Sequence, residues 1–140
     1  MNIKISCFAD RTKGFVASTV EVNGNVQKSK VDKFIGTNIK ENAIRACING
    51  LQLAKGVVFH DDLLTIEIQN RHLAEWIAGA VEYKGYTDSL DKLFELLDSI
   101  DCRYIVAFVE EPYAKTFGAS HGYTKKEFTT VENLISDLEG

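Results

Sequence analysis

An Asn-Gly pair, Asn23 and Gly24, is the feature that most constrains the fold of this chain. It joins a run rich in Phe, Val and Thr over residues 14–22 to a polar, lysine-bearing run over residues 25–34. Asn-Gly favours the type I′ turn of a tight hairpin, because both central residues of that turn need a positive φ. Residues 3–7 alternate apolar and polar side chains ahead of the hairpin, and this run ends on an acid, Asp10. We therefore predict three consecutive antiparallel strands, the third at a sheet edge.

The next segment predicts a helix followed by a fourth strand. Thr37 or Asn38 caps a helix that continues to about Lys55. One side of this helix carries small residues at helical spacing, including Gly50, and such a side allows close approach to a sheet. Residues 63–68 are rich in leucine and β-branched side chains and fit a strand.

Two helices separated by a loop are predicted between the fourth and fifth strands. Residues 85–88 form the loop, and Asp88 or Ser89 caps an amphipathic helix that extends to Ile100. The earlier helix has its apolar residues at Leu73, Trp76, Ile77 and Val81.

The C-terminal part of the chain predicts a strand, a loop and a helix. Residues 103–109 are a near-continuous apolar run, which is typical of a strand covered on both faces. Pro112 ends this strand, and the polar stretch from there to Lys126 is predicted to be a loop long enough to indicate function or mobility. The final helix has apolar residues on one side: Phe128, Val131, Leu134, Ile135 and Leu138.

Length and composition predict one domain spanning residues 1–140, and the cysteines and the lack of a long apolar run lead us to expect it in the cytoplasm. Sixteen Lys and Arg against twenty Asp and Glu give a net charge of −4, so any nucleic-acid binding has to use a local patch. Three separated cysteines lack the spacing of a zinc site and indicate buried thiols in a reducing compartment. The sequence lacks a leader-like segment and an apolar run long enough to span a membrane.

The order of the predicted elements is three strands, a helix, a strand, one or more helices, a strand, a loop and a helix. In this order, and in Asp10 followed by a turn and the segment 14–17, the chain resembles the ribonuclease H family over essentially its whole length. The resemblance implies an α/β, ribonuclease H-like domain with a five-stranded mixed sheet, its first three strands antiparallel, flanked by helices. It also implies nucleic acid as the ancestral ligand, and four carboxylates that hold two Mg²⁺ ions for cleavage of RNA in RNA–DNA hybrids.

Two of these four carboxylates are matched in register. The resemblance assigns Asp10 to the metal ligand at the end of the first strand, and Glu132 to the ligand on the last helix. His121, followed by a glycine in the predicted long loop, resembles the mobile histidine that assists turnover in many members of the family.

The other two carboxylate positions hold no acid in register. On the first helix, alignment of the small residues places Ala43 there, counting from Thr-Asn places Asn42 there, and the nearest acid is Glu41. At the end of the fourth strand Gln69 takes the position, with Glu67 two residues earlier on the same face. Glu41 and Glu67 are therefore metal ligands only if the register is shifted, whereas Gln69 is in register and offers only the neutral carbonyl oxygen of its amide.

Basic and amide side chains provide candidate contacts to nucleic acid. Lysines on an edge strand hinder its pairing with another chain, which explains Lys28 and Lys30 without a ligand, and helix capping explains Asn70. The candidates lie on the third strand, the first helix and the segment after the fourth strand: Lys28, Lys30, Lys40, Asn42, Arg45, Asn70 and Arg71.

Three functional hypotheses follow. The first is a degenerate, non-catalytic ribonuclease H-like domain that binds a protein partner or nucleic acid, either an RNA–DNA hybrid or a single strand. The second is an active Mg²⁺-dependent ribonuclease H. The third is a protein-only interaction or inhibitor module, which the net acidity favours. None of the three involves a membrane.

Overall fold

The computed structural model describes residues 1–58, 61–79, 85–100 and 102–121. The predicted final helix over 128–138, which includes Glu132, lies outside the described residues. In chain order the elements are β1 (Asn2–Asp10), β2 (Phe15–Val22), β3 (Asn25–Lys33), α1 (Ile39–Ala54), β4 (Leu63–Ile68), α2 (Arg71–Ile77), α3 (Thr87–Ser99), β5 (Arg103–Phe108) and α4 (Tyr113–His121).

The five strands form one mixed sheet in the order β3-β2-β1-β4-β5. β1 pairs antiparallel with β2, and β2 pairs antiparallel with β3. β4 is parallel to both β1 and β5. The turn between β2 and β3 has φ values of 50° at Asn23 and 86° at Gly24, the positive values that a type I′ turn needs. The predicted α/β class, the mixed sheet and the antiparallel order of the first three strands are confirmed.

Side chains alternate between the two faces of the sheet, and each face packs against different helices. Ile3, Ile5 and Cys7 of β1 belong to the main core, together with the buried side of α1 and residues of α2 and α3. Phe8 points the other way and forms a smaller cluster with Phe15, Ala17 and Ala114 of α4. The sheet therefore lies between α1 and α3 on one face and α4 on the other.

Helix α1 lies close to the sheet because its inner side is built from small residues. Asn38 is the N-cap, and its side chain accepts a 3.1 Å hydrogen bond from the backbone N–H of Glu41, so the second of the two predicted caps is the one used. Further along, the hydroxyl of Ser18 donates a 2.6 Å bond to the backbone carbonyl of Ala46. Gly50 lies directly over β1 and β2, near the side chains of Ile5, Cys7 and Ser18.

The start of α3 differs from the prediction. Gly85 and Tyr86 have positive φ values of 77° and 56°, and the helix begins at Thr87, so Asp88 and Ser89 lie inside it and do not cap it. Two consecutive residues in the left-handed region turn the chain into the helix, and no side chain caps its first turn. The Ser89 hydroxyl instead donates to a carboxylate oxygen of Glu41 on α1.

The prediction that the fifth strand is covered on both faces is wrong. β5 is the last strand in the described sheet, and most of its residues are exposed: Ile105 by 53% and Phe108 by 48%. The apolar run was misinterpreted because an edge strand and a central strand of an α/β sheet can have the same composition.

The predicted loop after Pro112 is also wrong, because residues 113–121 form α4. Ala114 and Gly118 lie one turn apart, and a Cβ on Gly118 would come within 2.2 Å of the Phe15 ring, so this side of α4 rests on the aromatic ring. The backbone N–H of Ala114 donates a 2.9 Å bond to the hydroxyl of Ser6 on β1. The helix depends on these tertiary contacts, which a weak apolar periodicity does not predict.

Among the described helices, none has the length and apolar character needed to cross a membrane.

The cysteines give a first testable prediction. Cys7 and Cys47 are buried, whereas Cys102 is partly exposed. A hydrogen bond with the Cys47 side chain, together with burial, raises the pKa of the Cys7 thiol well above its ordinary value. Since the thiolate is the reactive form, a thiol reagent should modify Cys102 rapidly at pH 7–8 and the other two only as the protein unfolds. If all three thiols reacted as rapidly in native buffer as they do in urea, the result would contradict the burial of Cys7 and Cys47.

Candidate functional site

A cleft of about 370 Å³ lies where the parallel strands β1 and β4 end. In open α/β sheets, ligands commonly bind outside the carboxyl ends of the strands, and the cleft is in that position. Its walls come from the end of β1, the first turns of α1 and the junction between β4 and α2. The lining residues are Cys7, Phe8, Ala9, Ile39, Ala43, Ile68, Gln69, Asn70, Arg71 and His72.

The polar wall of the cleft is one continuous segment, Gln69 to His72. Asn70 is the N-cap of α2 and accepts a 3.0 Å hydrogen bond from the backbone N–H of Leu73. The Gln69 side chain donates a 3.0 Å bond to the backbone carbonyl of Glu110, which ties the end of β4 to the segment after β5. These contacts fix the backbone of the segment, while Arg71 and His72 are exposed.

Asp10, the predicted first metal ligand, is the last residue of β1 and lies just beyond the lining residues Phe8 and Ala9. Its side chain accepts a 2.8 Å hydrogen bond from the backbone N–H of Lys13, and its backbone carbonyl accepts one from Gly14. Asp10 therefore closes the turn between β1 and β2 with one carboxylate oxygen.

Glu41 and Glu67 are directed away from the cleft. Glu41 accepts a hydrogen bond from Ser89 on α3, whereas Ala43 lines the cleft, and two helix positions differ by about 200°. Glu67 lies on the sheet face opposite to the cleft-lining Ile68, 4.0 Å from the ammonium of Lys4. The structure thus brings Gln69, but neither of these acids, to the cleft.

The assignment of Glu132 rests on the apolar residues of the predicted final helix and stays a prediction. Glu132 lies outside the described residues, and the first helix after β5 is α4. Over its described length α4 has Lys115, and no acid, in its first turn. The Lys115 ammonium lies 3.0 Å from a carboxylate oxygen of Glu111 and 5.7 Å from the centre of the Phe8 ring. His121 is the last residue of α4, so its backbone is helical and not part of a loop.

Lys115 was missed in the sequence because α4 was missed. A proline followed by small residues one helical turn apart, Ala114 and Gly118, is the signal that indicates a helix packed closely on an aromatic side chain.

The described residues do not fit a Mg²⁺ site of the kind that the resemblance implies. Magnesium prefers carboxylate oxygens, and none of the described residues that line the cleft is an acid. Within residues 1–58, 61–79, 85–100 and 102–121, no three His, Cys, Asp or Glu side chains are grouped so as to hold a metal ion. The cleft wall instead presents two neutral amides, an imidazole and a guanidinium.

Five of the seven predicted nucleic-acid contacts fall into two groups. Asn70 and Arg71 line the cleft, and Lys40 lies near its rim, with its ammonium 5.2 Å from the centre of the Trp76 ring. Lys28 and Lys30 lie on β3, at the edge of the sheet.

Asn42 and Arg45 have structural contacts. Asn42 is fully buried, and its side chain bonds to the backbone of Ile35 and Asn38 and to Arg45. Arg45 also donates a 3.0 Å bond to the backbone carbonyl of Lys33. Burial leaves Asn42 no surface for a ligand, so the prediction of a direct contact at Asn42 is corrected to a structural role.

The strand order, the helices on both faces and the position of the cleft define a ribonuclease H-like fold. The structure is similar to the N-terminal RNase H domain of Rv2228c from Mycobacterium tuberculosis, solved as a fusion with maltose-binding protein. The TM-score is 0.71 at 10% identity, over 96% of this chain and 98% of that one. It is also similar to RNase H1 from the halophilic archaeon Halobacterium salinarum NRC-1, with a TM-score of 0.63 at 17% identity, over 92% and 97%.

A third similar structure is LC11-RNase H1 in complex with an RNA/DNA hybrid. Its TM-score is 0.58 at 12% identity, over 78% of this chain and 86% of that one. No family model matches the sequence, and no curated protein matches it. The likeness to these solved structures is a likeness of fold.

Proposed function

We propose that this chain is a non-catalytic ribonuclease H-like domain that binds nucleic acid at the cleft beyond the ends of β1 and β4. One observation carries the proposal: the cleft wall consists of Gln69, Asn70, Arg71 and His72, where the family resemblance calls for metal-binding acid. Amides, imidazole and guanidinium donate hydrogen bonds to phosphate and sugar oxygens, and none of them supplies the negative charge that carboxylates bring to a hard dication.

The charges around the cleft support an anionic ligand. Arg71 is exposed on the wall, Lys40 lies near the rim, and Lys115 lies over the Phe8 ring on the other face of the sheet. Glu75 and Glu111 pair with two of these cations, so the local positive charge is modest. The fold supports the same ligand class, since the solved structure of LC11-RNase H1 contains an RNA/DNA hybrid.

The proposal includes a location in the reducing cytoplasm, where buried thiols persist.

Binding measured against salt tests the proposal. A fluorescein-labelled strand and the matching RNA–DNA hybrid should both bind more weakly as salt rises from 50 to 200 mM, because phosphate contacts release counterions. Arg71→Ala should weaken binding about tenfold and lower the salt slope by about one. Arg103→Ala is the matched control, since Arg103 is exposed at the opposite end of β5 and should leave binding unchanged.

A cleavage assay tests the non-catalytic part. The protein, incubated with labelled hybrid and Mg²⁺ or Mn²⁺, should give no more product than its Asp10→Asn variant. Cleavage that the Asp10→Asn change abolishes would overturn the non-catalytic assignment in favour of an active ribonuclease H. Absence of binding to every nucleic acid tested would instead favour a protein-only interaction module.

A further inference from the structure

We infer that the cleft takes an unpaired nucleic-acid strand, with a base stacked on a platform formed by Phe108 and Arg71. This inference rests on the proposed function and specifies its ligand. We call these two side chains the Phe108 platform. Its position, its exposure and the charge of the chain each lead to the same ligand.

The Phe108 platform lies at the rim of the cleft. Phe108 is the last residue of β5 and is in register with Ile68 of β4, a residue that lines the cleft. Residues in register on adjacent strands point to the same face, so the Phe108 ring continues the cleft wall beyond Ile68. The guanidinium carbon of Arg71, which also lines the cleft, is 5.8 Å from the centre of the Phe108 ring.

Within the part of the chain that the structure describes, the Phe108 platform is exposed to solvent. Phe108 is 48% exposed, and Arg71 is exposed beside it. Aromatic rings and guanidinium planes are the groups on which proteins stack unpaired bases. In a duplex or hybrid each base is already stacked between its neighbours and presents only an edge, so a flat ring at a cleft rim has a base to receive only from an unpaired strand.

The acidity of the chain favours the same ligand. The net charge is −4, and the Arg71 guanidinium is 3.4 Å from a carboxylate oxygen of Glu75, so general phosphate attraction is weak. Affinity then has to come from contacts that do not depend on charge, and stacking provides them for a single strand. Lys40 adds one cation beside the cleft: its neighbour Ile39 lines the cleft, and its ammonium is 5.2 Å from the centre of the Trp76 ring.

Comparison of an unpaired and a paired ligand tests the inference. The probes are dT15 and a 15-base-pair RNA–DNA hybrid, and binding is followed by the fluorescence of Trp76, the one tryptophan in the sequence. His72 of the cleft wall lies 6.4 Å from the Trp76 ring, so a bound strand should change its emission. We expect dT15 to bind at least tenfold more tightly than the hybrid.

Phe108 variants separate stacking from general apolar contact. Phe108→Ala should weaken dT15 binding about 5- to 100-fold and hybrid binding less than twofold. Phe108→Leu keeps apolar volume without a π face and should behave like the alanine variant, while Phe108→Tyr should retain affinity and leaves Trp76 as the one tryptophan. Tyr104→Ala is the matched control, because Tyr104 is 39% exposed on the same face of β5 but about 13 Å further from the cleft.

The outcomes distinguish this inference from the proposed function. Binding of hybrid and dT15 with equal affinity, or equal effects of Phe108→Ala and Tyr104→Ala, would overturn the stacking inference and leave nucleic-acid binding intact. Binding of neither probe would overturn both. Thermal melting of each variant confirms that it is folded, as expected for changes at exposed side chains.

Discussion

Replacing Gly50 by alanine is expected to lower the free energy of unfolding by about 1–3 kcal/mol, although alanine is the better helix former. Gly50 lies within α1, where the helix rests on the sheet, and a Cβ there would be 2.5 Å from Cγ2 of Ile5 and 3.3 Å from the sulfur of Cys7. Ile5 is fully buried and cannot move aside without disturbing its neighbours. The steric cost therefore exceeds the helix-propensity gain of about 1 kcal/mol.

Urea denaturation of matched variants measures this effect. Gln52→Ala, at an exposed position of the same helix, should be close to neutral and controls for helix propensity. Ile5→Leu removes Cγ2, so combining it with Gly50→Ala should recover about 0.5–2 kcal/mol of coupling energy in a double-mutant cycle. If Gly50→Ala raised the stability, as it does in a solvent-exposed helix, α1 would have to lie further from the sheet than it does here.

The fold was predictable where a short sequence pattern determines how two elements of secondary structure pack together. Asn23 and Gly24 allow the hairpin, and alternation over β1 and β2 then determines which side chains face α1. The small residues around Gly50 indicated a helix packed closely on a sheet, which is the observed position of α1. These signals act over a few residues, so they can be recognised without knowledge of the rest of the chain.

The C-terminal elements were mispredicted because their conformation depends on distant contacts. α4 is held by Ser6 and Phe15, which lie about one hundred residues earlier in the chain, and its own apolar pattern is weak. β5 has the composition of a central strand, but it is the last strand of the described sheet. The exposed Phe108, on which the stacking inference rests, could not be distinguished in the sequence from a core residue.

The candidate site was predictable in location but not in detail. The resemblance to the ribonuclease H family predicts a site at the ends of the first and fourth strands, and the cleft lies there. Whether Glu41 or Glu67 reaches it depends on one or two positions of helical or strand register, which a single sequence does not determine. The partners of these acids, Ser89 and Lys4, became evident only in the folded chain.

The same ambiguity placed Asn42 among the candidate contacts, although it holds the segment before α1 in place. Its carbonyl oxygen accepts bonds of 2.9 Å from the backbone N–H of Ile35 and 2.7 Å from Arg45. Its amide nitrogen donates bonds of 2.7 Å to the carbonyl of Ile35 and 2.8 Å to that of Asn38. Removal of this side chain would take these bonds from the backbone N–H and carbonyl of Ile35, while the carbonyl of Asn38 would keep its bond from the backbone N–H of Asn42.

Asn42→Ala is therefore expected to lower the free energy of unfolding by about 2–4 kcal/mol, while the folded protein retains its affinity for nucleic acid. Asn70→Ala provides the contrast: it removes one capping bond, costs about 1 kcal/mol, and takes an amide from the cleft wall, so it should weaken binding. Chemical denaturation measures the stability of each variant. Binding measured below its melting temperature gives the affinity of the folded protein, so the two effects are separated. An Asn42→Ala variant of normal stability with weakened binding would return Asn42 to the ligand contacts, because a residue that only supports the fold changes the amount of folded protein and not its affinity.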